Sequence, residues 1–290
     1  VKTSPVVTVT VDEQHLDLDG RRRTHRVVRP ADPAPDAVLV LALHGSNQDG
    51  AKLRRSSGGT FDALAADHGA VVVYPDAHGG LWNDARRSIP GRARAEGVDD
   101  VGFLTAVLDQ VADRYGLADR RAVVAGYSNG GQMALRLLFQ TSGRLRGVVL
   151  FGAALPTPDD LVVEDRGDRV PITVVQGTKD PIVPFAGGTV SLFGFRPRGT
   201  VLPAPESARR LARRNGADDE PVTSELPGRT ARTTVSVTRY GGAAPVTLYT
   251  VEGGGHVVPN RTTRAIPLLG RTTRTVDGGE LVWELVEGAH

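Results

Sequence analysis

Short apolar, β-branched runs alternate with helix-like patterns through the first two-thirds of this 290-residue chain. Runs of that kind form strands buried on both faces, and a chain buries them by laying a mostly parallel sheet between two layers of crossover helices. Val38–Leu43, Ala70–Tyr74, Ala122–Ala125, Gly147–Phe151 and Ile172–Val175 read as the strands. Phe61–His68, Gly130–Phe139 and Glu206–Arg214 read as helices. So does a segment capped by Asp100 and stopped by Gly116, with Phe103, Leu104, Val107, Leu108, Val111 and Tyr115 at i, i+3, i+4 spacing. Thr233–Tyr240 and Val246–Val251 flank a glycine-rich turn, Leu281–Leu285 makes a closing amphipathic helix, and the N-terminal residues alternate like antiparallel edge strands. No repeat or low-complexity tract interrupts the pattern, which predicts one α/β domain over residues 1–290.

Composition narrows the chemistry. With 40% hydrophobic residues the chain can bury a sizeable core, and with no cysteine it excludes disulfides, thiolate metal sites and a thiol nucleophile. The 35 basic and 33 acidic residues leave a formal charge of +2 spread along the whole length, which gives a nucleic-acid role no support. No apolar run reaches membrane-spanning length, and Val1-Lys2-Thr3-Ser4-Pro5 lacks the features of a signal peptide. The chain is expected to be soluble without membrane insertion, cytoplasmic or secreted after signal removal.

Open α/β sheets carry their sites at the carboxyl ends of their strands. Gly126-Tyr127-Ser128-Asn129-Gly130 lies there, between the strand Ala122–Ala125 and a helix. A G-x-S-x-G sequence so placed makes a turn tight enough to hold the serine hydroxyl above the sheet, as in the nucleophile elbow of α/β-hydrolases. Ser128 is therefore the candidate nucleophile, and a hydroxyl needs a base. In the α/β-hydrolase order of serine, acid, histidine, the base follows the nucleophile. Of the seven histidines only His256 and His290 do so, and a terminal residue frays. His256 follows strand Val246–Val251 on a triple-glycine loop, which makes it the candidate base.

The acid must orient the imidazole from the end of another strand. Asp180, just past Ile172–Val175 and stiffened by Pro181, fits that place best, with Asp159 and Asp160 as alternatives beyond the strand ending at Phe151. An oxyanion hole needs one amide from the residue after the nucleophile and one from the loop after an earlier strand. Asn129 and Ser46 occupy those positions, and His44 beside the latter reads as a structural hydrogen-bonder. Asp99 and Asp100 precede the nucleophile and read as cap and loop residues.

Taken together, Leu43-His44-Gly45, Tyr74-Pro75-Asp76, Trp82-Asn83, Val98-Asp99-Asp100-Val101, Gly126 to Gly131, Gly177 to Phe185 and Gly253 to His256 resemble the esterase family of poly(3-hydroxybutyrate) depolymerases, feruloyl esterases and acetylxylan esterases. The resemblance implies an α/β-hydrolase with a Ser128–Asp180–His256 triad, no metal or cofactor, and small or polymeric esters as substrates, whether hydroxyalkanoate, feruloyl or acetyl. The chain departs from that family at Ser46 and Ala217, where cysteines are common, and in His256-Val257-Val258-Pro259, which lacks the usual tryptophan. Polymer or feruloyl specificity therefore does not transfer automatically. Trp82 is expected either to line the substrate pocket or to anchor a loop, and Phe193 and Phe195 either to form a lid or to pack as a loop. A peptidase, thioesterase or lactonase would use the same apparatus, and a non-catalytic binding protein could keep the scaffold.

Overall fold

The computed structural model describes residues 8–192, 194–217, 220–228, 230, 232–264 and 266–288. In chain order the first elements are β1 (Val9–Leu18), β2 (Arg21–Pro30), β3 (Leu39–Leu43), α1 (Gly50–Ser56), α2 (Asp62–His68), β4 (Val71–Pro75), α3 (Arg92–Ala95) and α4 (Asp100–Tyr115). The middle of the chain contributes β5 (Ala122–Tyr127), α5 (Asn129–Gln140), β6 (Leu145–Phe151), β7 (Ile172–Gly177), β8 (Gly188–Leu192), β9 (Phe195–Val201) and α6 (Ala204–Arg214). The last are β10 (Val222–Glu225), β11 (Thr234–Tyr240), β12 (Val246–Glu252) and α7 (Gly278–Glu287).

Ten of these strands form one sheet in the order β1-β2-β4-β3-β5-β6-β7-β12-β11-β10. The pairings from β4 through β12 are parallel, and both flanks are closed by antiparallel strands. This is the α/β-hydrolase arrangement expected from the alternating runs. The edge hairpin β1–β2 turns through Asp19 and Gly20, both at positive φ, the turn whose twist suits adjoining strands.

Period-two alternation divides the apolar residues of the central strands between two layers. Leu39, Leu41 and Leu43 of β3 pack with residues of α4, α5 and α6, including Phe103, Leu104, Met133 and Leu211. Val40 and Ala42 face the opposite side, with Leu53 of α1, Leu64 of α2 and Leu281 and Val282 of α7. Every residue of β3, β4 and β5 is buried, so these strands cannot slip in register without driving polar turn residues into the core.

Two local expectations are corrected. The cap of α4 is Asp99, whose carboxylate accepts from the Gly102 amide. Asp100 is the first helical residue and is buried, because its carboxylate pairs with Arg23 at 2.7 Å and accepts from the Asn83 amide at 2.7 Å. Gly188–Leu192 and Phe195–Val201 pair as a two-stranded antiparallel unit, β8–β9, separate from the main sheet, where the sequence suggested a lid or a packed loop. Among the described residues, no helix is long and apolar enough to cross a membrane.

Candidate active site

The turn from β5 into α5 brings the chain so close to its neighbours that side chains are excluded. A Cβ on Gly126 would lie 2.5 Å from the Gly130 carbonyl oxygen, and one on Gly130 would lie 2.2 Å from that of Leu43. Ser128, at the apex, is held at φ 55° and ψ −115°, a sparsely populated conformation for a residue with a side chain. Its amide donates to the Phe151 carbonyl at 2.8 Å, and its carbonyl accepts from Gln132 at 3.1 Å, so the elbow is tied to β6 and to α5. Its side chain opens on a cleft of about 180 Å³, which His256 also lines.

Asp180 and His256 meet from adjacent parallel strands, β7 and β12. The Asp180 Oδ2 lies 2.8 Å from His256 Nδ1, and both side chains are buried. Oδ1 accepts from the amides of Ile182 and Val183, each at 2.8 Å, and Gln176 Nε2 donates to Oδ2 at 3.1 Å. The other contacts all use the carboxylate as an acceptor, which makes His256 Nδ1 the donor in the 2.8 Å contact. No hydrogen bond joins Ser128 to His256, and contacts between a nucleophile and its base commonly tighten only in the substrate complex. Of the alternatives, the Asp160 carboxylate accepts from the amides of Ser88 and Thr200, and Asp159 is exposed; His256 pairs with Asp180.

Two residues absent from the sequence reading hold the imidazole. The Tyr127 hydroxyl donates to the His256 carbonyl at 2.9 Å, and the two rings lie 5.1 Å apart. Burial, followed by the negative charge of Asp180, pushes the Tyr127 phenol well above its ordinary pKa and keeps it a donor. Gly152, directly after β6, provides space: a Cβ there would lie 2.8 Å from His256 Nδ1. Its place at a strand end is the signal that could have marked it.

In the loop Gly45-Ser46-Asn47-Gln48, the amides of Gly45, Asn47 and Gln48 all have acceptors. That of Ser46 has none among the described residues, and Ser46 lines the cleft. Asn129, at the first position of α5, also lines it; helix geometry leaves the Asn129 amide without an intrahelical partner. The Asn129 side chain is fixed by the Trp82 amide at 2.9 Å and by Asp84 at 2.6 Å. His44 is buried, its Nδ1 donating to the Gly45 carbonyl and its Nε2 accepting from Ala77. Burial lowers its pKa, which suits a neutral structural ring.

Of the aromatic candidates, neither Trp82 nor Phe195 lines the cleft. Trp82 is 1% exposed, and its indole N–H donates to the His44 carbonyl at 2.9 Å, so it anchors a loop. Phe195 is 76% exposed at the tip of the hairpin, and Phe193 lies outside the described residues. The hairpin reaches the cleft instead through Val190, Leu192 and Arg198, joined there by Arg86, Ile182 and Val183. A second lobe of about 460 Å³ adjoins the first at Gln48, Tyr127, His256 and Leu269, and Lys52, Arg55, Val257, Val258 and Ile266 help to line it.

A ten-stranded, mostly parallel sheet with a strained serine turn at its carboxyl edge defines an α/β-hydrolase. Residues 86–191 match the family described as Phospholipase/Carboxylesterase. The protein named "Putative esterase NocK" of Nocardia uniformis subsp. tsuyamanensis is 27% identical over 301 residues, which cover 99% of this chain and 86% of that protein. Feruloyl esterase C of Emericella nidulans is 25% identical, over 66% of this chain and 68% of its own length. Among solved structures, the acetyl xylan esterase from Aspergillus awamori superposes with a TM-score of 0.59 at 16% identity, over 86% of this chain and 95% of that one. The poly(3-hydroxybutyrate) depolymerase LpqC from Bordetella parapertussis does so with a TM-score of 0.52 at 20% identity, over 86% and 85%. These likenesses bear out the family resemblance of the sequence motifs: the fold is that of the α/β-hydrolases, and the similar proteins carry esterase names.

Proposed function

We propose that this chain is a serine carboxylic-ester hydrolase working through a Ser128–Asp180–His256 triad and an acyl-enzyme. The observation that carries the reading is the 2.8 Å contact of His256 Nδ1 with the buried Asp180 carboxylate, beside a serine held in a strained turn on the same cleft. His256 Nε2 takes the proton of Ser128 as Oγ attacks the ester carbonyl, and the charge developing on the carbonyl oxygen falls to the amides of Ser46 and Asn129. The imidazolium then gives its proton to the departing alcohol. Water repeats the cycle on the acyl-enzyme, with His256 again as base.

Because the leaving alcohol is protonated by His256, it sits in the lobe that His256 borders and Ser128 does not. The acyl group takes the smaller lobe beside Ser128. At about 180 Å³ that lobe lies below the usual range for ligand pockets, which supports a short acyl chain over a feruloyl group. The substrate class is accordingly small esters, or polymers that offer a short acyl unit, and no nucleic acid or cofactor enters the reaction.

Ser128→Ala should lower kcat on a short-chain aryl ester by at least about 10³-fold, leaving the residual rate supplied by the oxyanion amides. A fluorophosphonate probe should label the unaltered protein at Ser128. Absence of both labelling and ester turnover would instead indicate a binding protein on this scaffold. A panel of esters, thioesters, amides and lactones ranks the acyl-transfer classes against one another.

A further inference from the structure

Arg198 is 94% buried by its 6% exposure, lines the acyl lobe beside Ser128, and has no carboxylate partner among the described residues. Its Nε and Nη1 are buried without any hydrogen-bond acceptor. A guanidinium keeps its charge at any ordinary pH, and leaving one buried without a partner costs several kcal/mol. Asp84 offsets that cost only in part, because both nearby carboxylates are engaged elsewhere. Asp84 is taken by Arg86 at 2.5 Å and by the Asn129 side chain, and Asp160 by two backbone amides. Arg86 adds to the positive charge, donates to the Arg198 carbonyl at 2.8 Å, and itself lines the cleft. Burial, then the nearby Arg86 and Arg196, lowers the Arg198 pKa from the usual arginine value, with Asp84 opposing the shift.

The lobe thus presents a cation with no carboxylate partner among the described residues on the side that receives the acyl group, with apolar Val190, Leu192, Ile182 and Val183 completing its wall. We propose that the preferred substrates are half-esters of short dicarboxylic acids, whose free carboxylate pairs with Arg198 while the ester carbonyl lies at Ser128. The pairing is charge-assisted and suits the planar donor fork of arginine. The inference rests on the serine-hydrolase reading above. In the reaction Ser128 Oγ bonds to the acyl carbon as the carbon–alkoxide bond breaks, the serine proton passes through His256 to the alcohol, and water releases the dicarboxylate.

The test compares the unaltered protein and Arg198→Gln on monoethyl succinate and on ethyl pentanoate, a neutral ester of similar length. The native protein should favour monoethyl succinate by at least about 10-fold in kcat/KM, and Arg198→Gln should reduce that ratio about 100-fold, mainly through KM. Arg198→Lys should restore part of it. Should the glutamine variant not fold, inhibition of the native protein decides: succinate should compete with ethyl pentanoate more strongly than pentanoate does. A native ratio of one or less, a ratio unchanged in the variant, or equal inhibition by the two acids would overturn the proposal. Retained fluorophosphonate labelling and ethyl pentanoate turnover would then show that only the carboxylate inference had failed. Loss of both in the native protein would remove the hydrolase reading as well.

Discussion

Besides the Asp180 carboxylate, His256 is positioned by residues that contribute bulk or its absence. Tyr127 supports the imidazole from one side, and Gly152 is open enough on the other to admit it. At Gly152 the backbone is at φ +57°, and an added Cβ would meet His256 Nδ1 at 2.8 Å and Cε1 at 2.9 Å, with the Asp180 carboxylate just behind. Gly152→Ala should therefore displace the ring, lowering kcat on a short ester by about 100-fold and slowing fluorophosphonate labelling at Ser128, since catalytic geometry tolerates little misplacement. A kcat equal to that of the native protein would mean that turnover does not need the imidazole in this place. The positions of Ser128, Asp180 and His256 at one sheet edge were legible in the sequence because each follows a strand that ends in a recognisable turn. Trp82 was not. Its indole N–H found a carbonyl 38 positions away, and that contact drew the ring into the core and out of the pocket.

Within α4, adjacent aspartates do different work. Asp99 caps the helix at an exposed turn, whereas Asp100 is sealed against Arg23, with side-chain exposures of 0% and 5%. Arg23 is further held over the face of Phe103, 3.9 Å from the ring centroid. Removing the cap by Asp99→Ala should cost about 1 kcal/mol. Asp100→Ala, which strands a buried guanidinium, should cost about 3 to 5 kcal/mol. Urea denaturation of the two variants measures the difference, and equal losses would contradict the burial assigned to Asp100. From sequence Asp100 read as the cap, because the partner that seals it into the core lies on β2. The hairpin β8–β9 was missed for a related reason. Its strands are short, and the face that carries Val190, Leu192 and Arg198 becomes an inner face only once the hairpin folds over the cleft.

Across the whole molecule, the sheet buries a histidine that has no evident catalytic use. His25 in β2 is 1% exposed, pairs in register with Gln14 and Pro75, and neither ring nitrogen has a partner. Burial lowers its pKa from 6.5 to about 4, with Asp76 opposing the shift and His15 and Arg114 adding to it. Between those values the unfolded chain binds a proton that the native state does not, so stability falls as pH drops from about 6.5 to 4 and falls no further below that on this account. The loss amounts to about 3 kcal/mol. His25→Leu should flatten that part of the stability–pH profile with little change at pH 7, as followed by chemical denaturation, whereas an unaltered profile would place the acid sensitivity elsewhere. The α/β layering and the elbow at Ser128 were readable along the chain because apolar periodicity and glycine-bounded turns are local properties. Asp180 and His256 were readable because strand ends in such a sheet converge on one edge. The walls of the cleft were decided by folding alone. Arg86, Arg198 and the hairpin meet through contacts more than a hundred residues apart, and no local pattern records which charge will be left without a partner.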